Sequence, residues 1–191
     1  MLTSFSTIFL LHLGTSLVFF IPPIESTLSH TSLLEQICRQ SPHYHLCVMT
    51  LRSSIHHRSK ADVAGFARLT LEIAYANASV TIENIRKVYV QIRDNEQKGV
   101  LEDCFASYNR IVKVHLREAL NAMGKSDYKV ARQRVYAAGI QAESCNSKIK
   151  NPINFPLRDT NRYMINLCAI SLSIIDKLLQ TNQPNLTPNS T

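Results

Sequence analysis

The sequence predicts an all-α protein: an up-down-up-down four-helix bundle with an N-terminal helical hairpin extension and two disulfides. Only five of the 191 residues are glycine, and 45% are hydrophobic, which is enough to fill one core. Apolar residues recur every three or four positions over four long segments, which is the period of an amphipathic helix. Four of the five cysteines also have spacings that suit pairs of adjacent helices.

The first 27 residues resemble a secretory signal peptide, with a mostly apolar run between Ile8 and Ile21. This run is short for a membrane span, so cleavage is favoured over the alternative of a retained anchor. We expect a four-helix-bundle domain over residues 28–181 and a disordered tail over 182–191. Secretion would permit N-glycosylation, for which Asn77 is the predicted site; two further sequons lie in the tail.

The first elements after the signal are two short helices, predicted near residues 30–39 and 43–53. A turn at Pro42 separates them, because proline disfavours helix in the residue before it. Cys38 and Cys47 lie on either side of this turn and would join the pieces as a small hairpin.

Four long helices follow a polar loop at 53–60. Gly124 is the predicted stop of the second, and Ser126 is the predicted N-cap of the third. Residues 151–156 contain two prolines and form the predicted connector before the last helix. The predicted ranges are about 62–93, 97–123, 126–149 and 157–179.

Cys104 and Cys145 lie almost symmetrically about Gly124. If the flanking segments are antiparallel helices, the rise of ~1.5 Å per residue brings both sulfurs to the same height, ~30 Å from the turn. The spacing therefore predicts a disulfide between them, although it leaves other pairings open, such as Cys145–Cys168. Cys168 falls on the apolar face of the last helix and is the predicted free, buried thiol; an intermolecular bridge or a reactive thiol is the alternative.

No set of residues in the sequence forms a defensible active site, so we expect a protein that is not an enzyme and needs no cofactor. The closest metal-binding pattern is His43 and His45 together with His56 and His57. No cysteine or carboxylate completes this set, and we predict no metal site.

The chain is basic, with a formal net charge of +7. Arg110, Lys113 and Arg117 recur at helical spacing on the second long helix, and Lys129 adds charge at the start of the third. The functional interpretation is a surface that meets an acidic partner, and the alternative is an ordinary solvated face. A secreted, disulfide-bonded chain makes nucleic acid an improbable partner, and no membrane contact is expected after signal cleavage.

Several motifs occur together in a defined order, and with them the chain resembles the plant invertase and pectin methylesterase inhibitor family. The resemblance covers about residues 30–180. The motifs are Ile37-Cys38 with a second cysteine after eight residues, Ala61–Ala67, Leu101-Glu102-Asp103-Cys104 with Tyr108, Ser126-Asp127-Tyr128 leading to Cys145, and Leu167–Leu172.

This resemblance implies a four-helix bundle with the bridges Cys38–Cys47 and Cys104–Cys145. It also implies an inhibitor that binds one enzyme as a 1:1 complex and has no catalysis of its own. The implied location is the apoplast or cell wall, with the vacuole as the alternative.

The target class is predicted from the start of the third long helix. Invertase inhibitors of the family often carry Asp-Pro-Lys-Phe there, and this chain has Asp127-Tyr128-Lys129-Val130. We therefore expect an inhibitor that blocks the substrate cleft of a pectin methylesterase, with Lys129 as a candidate contact. The first alternative is an inhibitor of cell-wall or vacuolar invertase. The second is a non-inhibitory cell-wall protein whose basic stripe binds acidic pectin.

Overall fold

Two short helices and four long helical rods make up the described part of the chain. The computed structural model describes residues 33–55, 62–150 and 157–181. The predicted signal segment, most of the predicted loop before the first long helix, the connector and the tail lie outside these residues. The elements are α1 (33–38), α2 (Tyr44–Ile55), α3 (Val63–Gln91), α4 (Asn95–Arg110), a π-helical segment (Ile111–Leu116), α5 (Arg117–Gly124), α6 (Tyr128–Lys148) and α7 (Arg158–Thr181).

The four rods form a bundle that closes on itself. Because α4, the π segment and α5 are continuous, they act as one rod between α3 and α6. Successive rods pack against each other, and α7 returns to pack against α3. The predicted four-helix bundle is therefore confirmed. The α1–α2 hairpin joins the same core, since Leu34, Ile37 and Leu51 are buried.

Aspartate side chains begin three of the long helices. Asp62, Asp94 and Asp127 each accept a hydrogen bond from the backbone N–H three residues later, at 2.7, 2.8 and 3.1 Å. Such N-caps satisfy N–H groups that have no partner inside the helix. The cap at Asp94 starts α4 two residues earlier than predicted, and the predicted N-cap at Ser126 is wrong by one residue.

The turn between α5 and α6 explains the error at Ser126. The N–H of Asp127 donates to the carbonyl of Ala122, and the N–H of Ser126 donates to the carbonyl of Met123. This pair of bonds is a Schellman motif, in which the residue after the C-cap takes the left-handed conformation. Ser126 fills that position, with φ 57°, whereas the predicted stop, Gly124, is still helical and has no positive φ.

The π segment shifts the register of the second rod. Buried residues follow the helical period as far as Ile111, and the next buried position is Leu116, five residues later. A turn with hydrogen bonds from i to i+5 accommodates this longer step. An uninterrupted α-helical period from Ile111 to Ala119 would put His115 in the core, but in the structure Leu116 fills the core and His115 is half-buried.

The two predicted disulfides are both present. Cys38–Cys47 closes the short hairpin and Cys104–Cys145 joins α4 to α6, with Cα–Cα distances of 5.6 and 4.7 Å. The predicted pairing of Cys104 with Cys145 is therefore confirmed, and Cys168 is the free, buried cysteine.

A small polar cluster surrounds the second disulfide inside the core. The Tyr108 hydroxyl donates to Asn161 Oδ1 at 2.8 Å, and the Asn161 amide lies 3.1 Å from Cys145 Sγ. Burial raises the pKa of Tyr108, so the phenol stays protonated and can donate this bond. The cluster ties α4, α6 and α7 together at the disulfide end of the bundle.

The last helix, α7, is the one described helix with the length and hydropathy of a membrane span. Its apolar side chains, including Met164, Leu167 and Ile174, are buried between α3 and α6. Its hydropathy therefore matches a core position in the bundle.

Candidate partner-binding surface

The outer face of α6 carries an exposed apolar patch between polar residues. Lys129, Gln133, Tyr136 and Ile140 follow one another at steps of four, three and four residues, so they lie on one face of the helix. Tyr136 is 58% exposed and Ile140 is 42% exposed. We call these four residues the α6 stripe.

The inner face of α6 holds the helix close to its neighbours. Its core positions are Ala131, Val135, Ala138 and Ala142, all fully buried. Three small alanine side chains leave little distance between α6 and the facing helices, so the large side chains of α6 are concentrated on the outside. The α6 stripe therefore lies on a helix that is packed closely against its neighbours.

Ion pairs fasten both edges of α6. Arg134 Nε lies 2.7 Å from Glu118 Oε2 on α5, and Arg132 Nε lies 2.5 Å from Asp176 Oδ1 on α7. Each pair is partly exposed, so its individual contribution to stability is small. Their joint effect is to fix how the flanks of the α6 stripe are oriented.

The predicted basic residues lie on the neighbouring rod. Arg110, Lys113 and Arg117 are all exposed, and none forms an ion pair with another residue in the described ranges. We call these three residues the basic strip. The rod packs beside α6, so the basic strip and the α6 stripe belong to adjacent elements. Lys129 is likewise exposed and without an ion pair to a described residue.

His115 lies in the π segment close to charged groups of two helices. Its Nδ1 atom is buried and has no hydrogen-bond partner among the described residues. Burial lowers the pKa of His115, Arg134 and Arg110 lower it further, and Glu118 opposes them. The imidazole is therefore held in its neutral form to lower pH than a free histidine.

The free cysteine, Cys168, lies in the core and away from this surface. Burial raises the pKa of the Cys168 thiol to about 12, which disfavours the nucleophilic thiolate. Within the described ranges no three His, Cys, Asp or Glu side chains come together in a way that could hold a metal ion.

Asn77, the predicted glycosylation site, is half-buried on α3. Its Oδ1 atom is buried and has no partner among the described residues, while its backbone carbonyl accepts a hydrogen bond from Thr81. Glycosylation at this residue stays a prediction.

Tyr136 and Ile140 were not singled out by the sequence. The signal for them was present, because they lie opposite the alanine face of the same helix at i, i+4 spacing. Large apolar residues on the face of a helix opposite its buried stripe make that face a candidate contact surface.

Comparison with known proteins identifies one family and several similar proteins. The profile of the family described as plant invertase/pectin methylesterase inhibitor matches residues 32–174. The chain is 28% identical over 167 residues to the protein named Pectinesterase inhibitor from Actinidia deliciosa, covering 85% of this chain and 89% of that one. It is 27% identical over 146 residues to the protein named Cell wall / vacuolar inhibitor of fructosidase 1 from Arabidopsis thaliana, covering 76% and 69%.

The fold is also similar to a solved structure, the mutant form A of a pectin methylesterase inhibitor from Arabidopsis. The TM-score is 0.68 at 21% identity, covering 75% of this chain and 95% of that one. At this level of identity the likeness concerns the fold alone.

Proposed function

This chain belongs to the plant invertase/pectin methylesterase inhibitor family, and from that premise we propose that it inhibits a pectin methylesterase by covering the enzyme's substrate cleft. The α6 stripe is the observation that supports a contact by this helix. A tyrosine and an isoleucine left exposed on an otherwise well-packed helix are typical anchors of a protein interface.

The shape of α6 suits a cleft that accommodates a polymer. The helix has 21 residues, so it is about 32 Å long and presents a convex ridge. An enzyme that binds several sugar units of a polysaccharide needs an elongated groove, and such a ridge can lie along it. Inhibition is then steric, and the inhibitor contributes no catalytic group.

Rigidity is what would make such a contact strong. The Cys104–Cys145 disulfide joins α6 to α4, and ion pairs tie both edges of α6 to its neighbours before the enzyme arrives. Binding therefore orders few side chains, and less of the interaction energy is offset by lost entropy. We propose a 1:1 complex in which each bundle covers one cleft.

The basic strip has a supporting role in this proposal. Its three exposed cations have no counter-charge among the described residues, so they are available to acidic groups at the rim of the cleft. Complementary charge at a rim speeds association and adds less to the final affinity. The same strip is the candidate contact for acidic pectin.

The proposed location is the plant cell wall. Two disulfides require an oxidising compartment, and the predicted signal peptide would deliver the chain to one. A relative from Arabidopsis thaliana is named a cell wall / vacuolar inhibitor, so the vacuole is the alternative compartment.

An invertase inhibitor is the second candidate function. Two relatives are named inhibitors of fructosidase, and Asp127 and Lys129 match the family's invertase motif at the start of α6. In the structure Asp127 is occupied as the N-cap while Lys129 is exposed, so only the lysine is free to reach a partner.

Titration of both enzymes with the oxidised mature protein tests the proposal. We expect the rate of the pectin methylesterase to fall to near zero at about one equivalent of inhibitor, and to recover as substrate is raised. The invertase should keep its rate. Inhibition of invertase alone would establish the second candidate, and inhibition of neither enzyme would reject both.

A further inference from the structure

A groove separate from the α6 surface lies between α3 and α4. Its floor and walls come from two i, i+4 pairs, Ile85 with Tyr89 on α3 and Leu101 with Phe105 on α4. Ile85 and Leu101 are buried at the bottom, and the two aromatic rings are half-buried at the sides. The cavity has a volume of about 330 Å³, at the lower end of the range for small-molecule sites.

Both aromatic rings are held in place by polar neighbours. The Arg86 guanidinium lies 5.2 Å from the centre of the Phe105 ring, and Lys98 Nζ lies 5.6 Å from the centre of the Tyr89 ring. The Tyr89 hydroxyl donates to Glu102 Oε1 at 2.7 Å. These contacts orient two flat, apolar faces before any ligand binds, so a planar ring would meet pre-organised walls.

Charge at the rim indicates what kind of ring the groove accepts. Arg86 is already paired with Glu83 at 2.6 Å. Lys98 does not line the groove itself, but its Nζ atom lies 5.6 Å from the centre of the Tyr89 ring, which does. Lys98 has no anionic partner among the described residues, so its ammonium group can receive a carboxylate beside that ring. Glu102 repels a carboxylate at its own position and can accept a hydrogen bond from a hydroxyl group.

We propose that this groove binds a small planar aromatic carboxylate, with the ring against Tyr89 and Phe105 and the carboxylate at Lys98. A ring hydroxyl donates to Glu102. The groove lies where the second rod packs against α3. The α6 stripe lies on the outer face of α6, which packs against the same rod from another side. Ligand binding is therefore independent of enzyme inhibition.

Titration of the oxidised mature protein with 4-hydroxycinnamate, followed by backbone amide NMR shifts, tests the site. We expect saturable binding near or below about 1 mM, with shifts confined to the C-terminal half of α3 and the first three turns of α4. The uncharged analogue 4-hydroxycinnamyl alcohol should bind about threefold to fivefold more weakly, because it lacks the charge that meets Lys98.

Two variants and a matched control make the test specific. Lys98→Met should weaken 4-hydroxycinnamate binding about threefold to fivefold and remove the preference over the alcohol. Phe105→Leu keeps an apolar wall without the ring and should weaken binding of both compounds about fivefold. Lys87→Met makes the same charge change on the outer face of α3 and should leave binding unchanged.

Absence of saturable binding would overturn the assignment. So would binding that is equal in the wild type and Lys98→Met, or that weakens as much in Lys87→Met. Inhibition titrations with the same variants keep the two proposals apart, since loss of ligand binding should leave enzyme inhibition intact.

Discussion

A half-buried histidine in the π segment couples the stability of this protein to pH. The pKa of His115 is lowered by burial first and by Arg134 and Arg110 next, with Glu118 acting in the opposite direction. Between this lowered pKa and the ordinary value of about 6.5, the unfolded chain binds a proton that the folded chain does not. Stability from this group is therefore full above about pH 6.5 and declines as the pH falls through that window.

Replacing the histidine isolates this effect. His115→Gln removes the titrating group and keeps a polar side chain of similar reach, so the variant should lose less stability than the wild type between pH 7.5 and pH 5. Urea unfolding at both pH values measures the difference. Identical pH dependence in the two proteins would show that the π-segment histidine is not the group responsible.

At the scale of single elements, the turn between α5 and α6 offers a direct comparison of two positions. Ser126 holds a left-handed conformation that costs a non-glycine residue about 1–2 kcal/mol, whereas Gly124 is helical and has no such need. A Cβ at Gly124 would meet Arg68 Nη1 at 3.9 Å, which is ordinary contact distance.

Glycine at position 126 and alanine at position 124 should therefore each stabilise the protein. We expect Ser126→Gly to raise the free energy of unfolding by about 0.5–1 kcal/mol, and Gly124→Ala by about 0.5 kcal/mol. Thermal unfolding should report a rise of about 1–4 °C for each variant. A lower melting temperature for Gly124→Ala would mean that Gly124 itself is the helix stop.

The sequence predicted the long helices because their apolar period is unbroken over many turns. It could not predict the π segment, because Val112 and His115 can occupy either a core or a half-exposed position. The sequence therefore did not show that the core passes from Ile111 to Leu116. The sequence also could not decide whether Ser126 or Asp127 is the N-cap, because both residue types cap helices. Only the backbone conformation of the two residues shows that Asp127 is the cap. Such errors of one residue leave the bundle intact and move the boundary of each exposed face.

At the scale of the whole molecule, the two disulfides constrain chain segments of very different length. Their sequence separations are 41 residues for Cys104–Cys145 and 9 residues for Cys38–Cys47. In the chain-entropy view, a longer loop loses more freedom in the unfolded state when it is closed. The bridge across the bundle is therefore the larger contributor to stability.

Paired alanine variants test this order. Removing Cys104–Cys145 should lower the free energy of unfolding by about 4 kcal/mol, and removing Cys38–Cys47 by about 2.7 kcal/mol. Denaturant unfolding of both variants beside the wild type provides the values. A larger loss from the short hairpin would mean that native packing, and not loop length, sets the contribution of each bridge.

The sequence predicted only part of the proposed partner-binding surface. Charge spacing predicted Arg110, Lys113 and Arg117, and the structure leaves all three exposed on one rod. Tyr136 and Ile140 were not predicted, although they lie opposite the alanine positions of the same helix. The structure shows that α6 turns both side chains outward.

The inhibition constant of Tyr136→Ala against a pectin methylesterase tests the central claim most directly. Val80→Ala is the matched control, because Val80 is also 58% exposed but lies on α3, which packs against the second rod and α7. We expect Tyr136→Ala to raise the inhibition constant about thirtyfold, as for the loss of about 2 kcal/mol at an interface anchor, and Val80→Ala to leave it unchanged. An unchanged constant for Tyr136→Ala in a folded, oxidised protein would contradict the assignment of the α6 stripe as the inhibitory surface.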